Sequence, residues 1–191
     1  MMNKQRLLLV VSGPSGVGKD SVVQDMVAKH PGIEVSVSAT TRSLRAGEQD
    51  GVNYHYISRD QFQEYIRQNA FCEYATYAGE YYGTLKSEVD DRISKGTICV
   101  LVIEVQGAAN IKKLYPGCTT VFILPPSLEV LEQRIRWRGR ESEEEVKRRI
   151  AVAKEVEIPF ASTYDYRIVN HNLESCAEEL YQIIKAQQLG A

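Results

Sequence analysis

A glycine-rich run between residues 13 and 19 has the composition and spacing of a phosphate-binding loop, G-x-x-x-x-G-K. Its glycines allow backbone N–H groups to curl around phosphate oxygens. The lysine that ends the run adds a positive charge for the β- and γ-phosphates of a nucleotide, and the helix that follows adds its positive end. We therefore predict that a nucleoside triphosphate binds to this segment, through Gly13, Pro14, Ser15, Gly16, Val17, Gly18, Lys19, Asp20 and Ser21.

The residue after Lys19 departs from the usual pattern of such loops, which place Ser or Thr there as a ligand of Mg²⁺. Here it is Asp20, and Ser21 comes one position late. A carboxylate is a hard oxygen ligand that Mg²⁺ accepts. We predict that Mg²⁺ accompanies this nucleotide as the cofactor and that Asp20 handles the metal ion, directly or through a bound water.

A second group of anion-binding residue types lies in the polar stretch 38–54. Arg42 and Arg45 are close together on this stretch, and two guanidinium groups so close repel each other unless an anion lies between them. Arginine is the side chain best suited to bidentate recognition of phosphate. The stretch is therefore a candidate second anion site, the alternative being a solvated, charged loop.

Apolar runs alternate with helical patterns along most of the chain. Residues 7–11, 97–105 and 119–124 are near-continuous apolar runs, typical of strands that are buried on both faces. This alternation predicts an α/β fold with a doubly wound parallel sheet. Residues 71–84 have an alternating pattern instead and predict short antiparallel strands, which indicates a small α+β insertion. Further strands are expected at 33–38 and 166–170, and helices at 20–30, 60–69, 86–94, 107–115, 127–138, 144–156 and 173–188.

Length and composition restrict the class of protein. A chain of 191 residues forms one compact unit, and its 43% hydrophobic and 25% charged residues are typical of a soluble globular protein. The net charge of −2 argues against a nucleic-acid partner. The first apolar run is far shorter than the ~20 residues that cross a membrane. We expect a cytoplasmic protein with no membrane partner, in which four cysteines stay reduced: Cys72, Cys99, Cys118 and Cys176.

The chain resembles the guanylate kinase family from Leu7 to about Ile184. The most specific parts of the resemblance are the S-x-T-T-R-x-x-R-x-G-E stretch at 38–48 and the Y-Y-G-T turn at 81–84. The resemblance implies a P-loop fold with a subdomain that binds the nucleoside monophosphate at about 35–85. It also implies a helical lid at about 137–149 and a core made of 1–34, 86–136 and 150–191.

The resemblance further implies the reaction and the acceptor site. The γ-phosphoryl group of ATP would pass to GMP, with dGMP as a further acceptor, giving ADP and GDP. The guanine-reading residues would be Ser38, Glu73 and Thr84, and the residues that grip the phosphate would be Arg42, Arg45, Tyr54 and Tyr82. A carboxylate offers two acceptors to the N1–H and 2-amino donors of guanine, whereas adenine presents an acceptor at N1 and is repelled.

Two acids complete the implied GMP site. Glu48 matches an acid that orients the arginine loop, and Glu104 matches the second acid of an expected D-x-D pair on a strand. The first acid of that pair is missing, because position 102 is Val102. Relative to the family pattern, this chain thus lacks a carboxylate near the metal at position 102 and has an additional one at position 20. We hypothesise that Asp20 substitutes for the missing acid at 102.

The resemblance implies that the nucleotide at the phosphate loop is ATP. The remaining implied roles concern ATP and the transferred group. The cations implied for catalysis are Lys19, Arg42, Arg134, Arg138 and Arg149. Of these, Arg134 and Arg138 also belong to the ATP site, where Asn170 is expected near the adenine and ribose. Trp137 either caps the adenine or covers the core.

Two other classes of protein stay open at this point. Ribose-bisphosphate kinases share the phosphate loop, including an aspartate after the lysine, but should lack the set Ser38, Glu73 and Thr84. A non-catalytic peptide-binding module of the same fold is compatible with Asp20 and Val102, although the intact Lys19 argues against it. The sequence is compatible with a monomer or a homodimer.

Overall fold

The computed structural model describes residues 8–77, 79–137 and 142–189. Its strands and helices follow in the order β1 (Leu8–Ser12), α1 (Lys19–Lys29), β2 (Ile33–Val35), β3 (Ala39–Thr40), β4 (His55–Tyr56), α2 (Arg59–Arg67), β5 (Phe71–Tyr77), β6 (Glu80–Leu85), α3 (Lys86–Ser94), β7 (Ile98–Val102), α4 (Val105–Leu114), β8 (Thr119–Leu124), α5 (Leu128–Trp137), α6 (Glu143–Val152), β9 (Tyr166–Val169) and α7 (Leu173–Leu189). A π-helical turn, Ala153–Glu157, and a 3₁₀ segment, Ile158–Thr163, connect α6 to β9.

Five strands form a parallel sheet in the order β2-β7-β1-β8-β9. The central strand β1 is buried along its whole length, as a continuous apolar run predicts when helices cover both faces. The structure therefore confirms the predicted α/β fold with a central parallel sheet. Ligand sites in such folds form beyond the carboxyl ends of the strands, where β1 leads into the glycine-rich run.

A second, four-stranded sheet in the order β4-β3-β6-β5 lies in the insertion. Its strands β5 and β6 are antiparallel, as the alternating pattern predicts, and they pack with α2 around a small aromatic core. Phe62 is fully buried there, with its ring centroid 4.3 Å from that of Phe71 and 5.1 Å from that of Tyr81. The second sheet thus has a small hydrophobic core of its own, and it is joined to the large core through Cys72 of β5.

Two sequence-based boundaries are wrong, and two strands were not predicted. The strand predicted to reach residue 38 ends at Val35, because the Val37 N–H bonds to the Glu88 carboxylate and the chain turns away from the sheet. The polar stretch that follows holds two short strands, β3 and β4, which were not predicted because each pairs over only two residues. The helix predicted for 144–156 ends at Val152, where the π-helical turn begins.

The position of Glu104 also corrects the sequence analysis. It was expected on the strand, but β7 ends at Val102 and Glu104 is the N-cap residue of α4. The helix begins two residues before the predicted start at Gly107, since the Ala108 N–H already bonds to the Glu104 carbonyl. Glu104 therefore stands at the sheet's carboxyl edge on a helix start instead of inside the strand.

The four cysteines are free and buried, as predicted. Burial raises the pKa of Cys72 to about 11 and that of Cys99 to about 12, so these thiols stay protonated and unreactive near neutral pH. Among the helices that the structure describes, none has the length and apolar character needed to span a membrane.

Candidate active site

The phosphate loop joins β1 to α1 and takes a path that only glycine allows. Gly16 has a φ of 91°, and a Cβ placed there would lie 2.6 Å from Cγ1 of Ile135. Gly18 is the N-cap of α1 in the left-handed conformation, which starts the helix at Lys19. The loop therefore exposes backbone N–H groups at the positive end of α1, the arrangement that binds phosphate.

The carbonyl of Val17 anchors the loop to two elements that lie far away in the sequence. It accepts hydrogen bonds from Nη1 of Arg134 at 3.2 Å and from Nδ2 of Asn170 at 2.8 Å. Nη2 of Arg134 also donates to the Asn170 carbonyl at 2.9 Å. Arg134, on α5, and Asn170, after β9, thus support the phosphate loop. Their contacts with ATP remain predictions.

An arginine from the segment predicted to form the lid contacts the same loop. Nη1 of Arg149, on α6, is 3.3 Å from Oγ of Ser15, and its Nε donates to Glu145 at 3.0 Å. Arg138 lies outside the residues that the structure describes. Trp137 is 92% exposed, which excludes the alternative that it covers the core.

The arginine loop is organised by the carboxylate of Glu48. Arg42 donates to it from both terminal nitrogens at 2.9 Å, the Arg45 N–H donates at 2.8 Å, and the Tyr56 hydroxyl donates at 2.8 Å. The hydrogen bonds from Arg42 and then from Arg45 lower the pKa of Glu48 to about 2, so the carboxylate is ionised at any working pH. Glu48 is therefore saturated by its own chain and acts as a positioning residue.

Arg42 is held between this carboxylate and tyrosine rings. Its guanidinium carbon lies 5.4 Å from the centroid of Tyr54, and the rings of Tyr54 and Tyr82 meet edge to face at 5.9 Å. The structure thus brings together three of the four residues expected to grip the acceptor phosphate. The fourth, Arg45, has an exposed side chain. The anion that relieves the crowding of cations here is Glu48, an internal carboxylate that the repulsion argument alone did not identify.

The candidate base-reading site depends on the register of β5 and β6. Glu73 and Thr84 are direct partners across the strands, and the Thr84 hydroxyl donates to Oε1 of Glu73 at 2.7 Å. Burial raises the pKa of Glu73. The hydrogen bonds from Thr84 oppose this rise, and the charge of Glu104 adds to it. The other oxygen, Oε2, faces Gly107 on α4, where a Cβ would stand only 3.0 Å away.

One cavity of about 610 Å³ connects the two halves of the site, a volume typical of small-molecule pockets. Ser15 of the phosphate loop and Arg149 border it on one side, and Glu73 and Tyr82 border it on the other. The predicted residues Ser38, Tyr54 and Glu104 line the same cavity. Residues separated by more than a hundred positions in the sequence are thus assembled around a single space.

Sequence reasoning missed three residues of this site: Tyr56, Gly107 and Glu157. A signal existed for two of them. Tyr54 and Tyr56 are two apart and so share a face of an extended segment. Glu157 comes four residues after Ala153 and eleven after Val146, so it continues the apolar stripe of the predicted helix one residue beyond the predicted end at 156. Nothing in the sequence indicated that Gly107 faces Glu73.

Asp20 is the candidate ligand of Mg²⁺ in this chain. Across the described ranges, no cluster of three or more histidine, cysteine or acidic side chains could hold a metal by itself. Mg²⁺ commonly needs only one or two carboxylates, with substrate phosphates completing its shell. Asp20 is exposed in the first turn of α1 beside Lys19, and its charge adds to burial in raising the pKa of Tyr54. Asp20 is thus solvent-exposed at the start of α1, directly after the phosphate loop, and fits such a role.

The parallel sheet and its phosphate loop define a P-loop protein, and comparison with known proteins narrows this class. The profile of the family described as Guanylate kinase matches residues 5–187. A guanylate kinase of Prochlorococcus marinus is 42% identical over 184 residues, which cover 96% of this chain and all of that relative. The crystal structure of guanylate kinase from Anaplasma phagocytophilum superposes with a TM-score of 0.74 at 31% identity, covering 95% of this chain and 85% of that one.

The chain therefore belongs to the guanylate kinase family, which confirms the resemblance noted in the sequence. Shikimate kinase from Bacteroides thetaiotaomicron also superposes, with a TM-score of 0.52 over 93% of this chain and 98% of that one. Its sequence identity is 14%, so this likeness shows the shared fold alone.

The contact between Gly107 and Glu73 generates a first prediction. In Gly107→Ala, the new Cβ would push the Glu73 carboxylate from its place, while alanine stabilises the helix by up to about 1 kcal/mol. We expect KM for GMP to rise about 10-fold, with KM for ATP unchanged and Tm unchanged or higher. Steady-state kinetics and a thermal melt check this. An unaltered KM for GMP would show that Glu73 is not held against α4.

The raised pKa of Glu73 generates a second prediction. In Glu73→Gln, one acceptor becomes a donor, and kcat/KM for GMP should fall about 100-fold at pH 8. Because the wild-type carboxylate takes up its proton above the ordinary glutamate pKa, its advantage over Gln should shrink as the pH falls towards 5. Dividing kcat/KM for GMP of the wild type by that of Glu73→Gln at each pH removes the effect of the titration of GMP itself. A ratio that stays constant down to pH 5 would contradict the assignment.

Proposed function

We propose that this protein transfers the γ-phosphoryl group of ATP to GMP, with dGMP as a second acceptor, giving ADP and GDP or dGDP. The observation that carries the proposal is the cavity bordered by Ser15 of the phosphate loop and by Glu73, whose carboxylate Thr84 holds by a hydrogen bond. A carboxylate fixed by a buried threonine presents its remaining acceptor sites to the N1–H and 2-amino groups of guanine. Ser38 and Glu104 line the same space and add polar groups for the base.

The acceptor phosphate is bound by groups that are positioned before it arrives. Glu48 holds the Arg42 guanidinium between tyrosine rings, so little side-chain entropy is lost on binding. Tyr54 and Tyr82 supply hydroxyl groups beside it, and the exposed Arg45 can approach from the loop. We propose that these four residues neutralise the phosphate of GMP, and that Glu48 acts on GMP through Arg42.

The transfer step needs positioning more than proton chemistry. A phosphate oxygen of GMP attacks the γ-phosphorus in line, and the bond to the β,γ-bridging oxygen breaks as ADP leaves. The phosphate of GMP is already largely a dianion at pH 7, so no general base is required. Lys19 and Arg149, with Arg42 from the acceptor side and the predicted Arg134 and Arg138, would stabilise the charge shared between the two nucleotides.

Mg²⁺ would supply positive charge to the phosphates of ATP when bound. Asp20 is the residue of this chain that we propose for it, because Asp20 replaces the usual hydroxyl ligand at the start of α1 and Val102 leaves the strand end without an acid.

The proposal divides the chain into three working parts. The core at 1–34, 86–136 and 150–191 would hold ATP, the segment 35–85 with its own small core would hold GMP, and the segment 137–149 would act as the lid. A cytoplasmic location belongs to the same proposal and is supported by the four free, buried thiols.

The test is an ADP-release assay with ATP and Mg²⁺ that offers GMP, dGMP, AMP, UMP and ribose 1,5-bisphosphate in parallel. We expect turnover with the guanine nucleotides and at least about 1000-fold lower kcat/KM with AMP, because adenine places an acceptor against Glu73. Turnover with the ribose bisphosphate alone would assign the chain to another class of kinase. Binding of GMP without turnover of any acceptor would support a non-catalytic module.

The role of Asp20 is tested by Asp20→Asn. We expect the Mg²⁺ concentration for half-maximal rate to rise about 10-fold, because the amide is neutral and a weaker metal ligand, while KM for GMP stays the same. The matched control is Asp25→Asn on the same helix, where the side chain pairs with Lys29 at 2.8 Å on the surface. Equal Mg²⁺ requirements in the wild type and Asp20→Asn would exclude Asp20 from metal handling.

A further inference from the structure

Glu157 is a buried acid that none of the roles above uses. It is the last residue of the π-helical turn between α6 and β9, and only 7% of it is exposed. It lines the active-site cavity together with Ser15, Glu104 and Arg149. An acid so deeply buried is rare unless its charge is compensated, so its position calls for a physical reason.

The partners of Glu157 belong to the phosphate-transfer machinery. Glu157 and Ser15, at the tip of the phosphate loop, line the same cavity, and the backbone N–H of Ser15 and the ammonium of Lys19 both favour the ionised form of the Glu157 carboxyl. Burial and the neighbouring carboxyl of Glu104 raise the pKa of Glu157, and Lys19 and the Ser15 N–H oppose this rise. Two acids and the loop lysine therefore form one electrostatic unit.

The local backbone explains why this acid reaches the loop. Ala153 and Glu157 are both buried, whereas the three residues between them are exposed. The wider π-helical turn replaces the last turn of α6 and delivers Glu157 to the cavity at the point where Arg149, one helical turn before Ala153, contacts Ser15. π-Helical turns are rare and occur frequently at functional sites.

We propose that Glu157 is a positioning residue for phosphoryl transfer, which holds the tip of the phosphate loop through Ser15 and fixes the place of the Lys19 ammonium. This inference rests on the proposed function for its kinetic part. Lys19 is the proposed contact to the phosphates of ATP, so loss of Glu157 acts mainly on the donor nucleotide and has a smaller effect on the acceptor site, through its neighbour Glu104. A displacement of about 1 Å in such a group is enough to lower a rate about 100-fold.

The experiment compares Glu157→Gln and Glu157→Ala with the wild type and with Glu155→Gln, a matched control on an exposed acid of the same turn. Glutamine keeps an acceptor for the Ser15 N–H and removes the charge, and alanine removes both. We expect kcat to fall about 10-fold in Glu157→Gln and about 100-fold in Glu157→Ala, with KM for ATP raised and KM for GMP within about 3-fold. Glu155→Gln should match the wild type.

A second measurement separates this inference from the proposed function. Calorimetric titration with a non-hydrolysable ATP analogue and Mg²⁺ should show about 10-fold weaker binding to Glu157→Ala, whatever acceptor the wild type uses. Wild type that binds the analogue but does not turn over GMP would count against the proposed function alone. Unchanged analogue binding, a rise confined to KM for GMP, or a fall in Tm with unchanged kinetics would each overturn the positioning role.

Discussion

The mutual repulsion of cations is the constraint on which this active site depends. Two nucleotides that carry several negative charges must meet, so the site needs arginines and a lysine close together before either nucleotide is bound. The structure meets this need with internal acids. Glu48 holds Arg42 and Glu145 holds Arg149, and we propose that Glu157 plays the same part for Lys19. Each cation is thereby kept in place without closing the cavity between the two halves.

These internal pairs also explain how the fold and the site are connected. The parallel sheet sets the phosphate loop at the carboxyl end of β1, and Arg134 and Asn170 fix its Val17 carbonyl from two later elements. The second sheet has its own aromatic core, and the register of β5 and β6 places Glu73 against Thr84. The two parts meet where α4 presents Gly107 to Glu73, at a contact that leaves little space for a side chain.

The sequence predicted the features that depend on local pattern and on residue type. The apolar run of β1 and the glycine spacing after it were sufficient for the sheet and the phosphate loop, and the resemblance supplied Glu73, Thr84 and the tyrosines. Neither the sequence pattern nor the resemblance could predict contacts that depend on backbone geometry. Glu104 was predicted on the strand but is the N-cap residue of α4, because this helix begins earlier than predicted. Glu157 reaches the cavity through a π-helical turn, which no residue propensity indicates. The strands β3 and β4 exist only through their pairing with each other and with β6.

The central claim is that one cavity accepts both nucleotides side by side. The most direct measurement is calorimetric titration with a two-headed compound in which adenosine and guanosine are joined by five phosphates. The account predicts binding of one molecule per chain, at least about 100-fold tighter than GMP alone, and much weaker binding when a second adenosine replaces the guanosine. Affinity no greater than that of ATP alone, or no preference for the guanosine end, would contradict it.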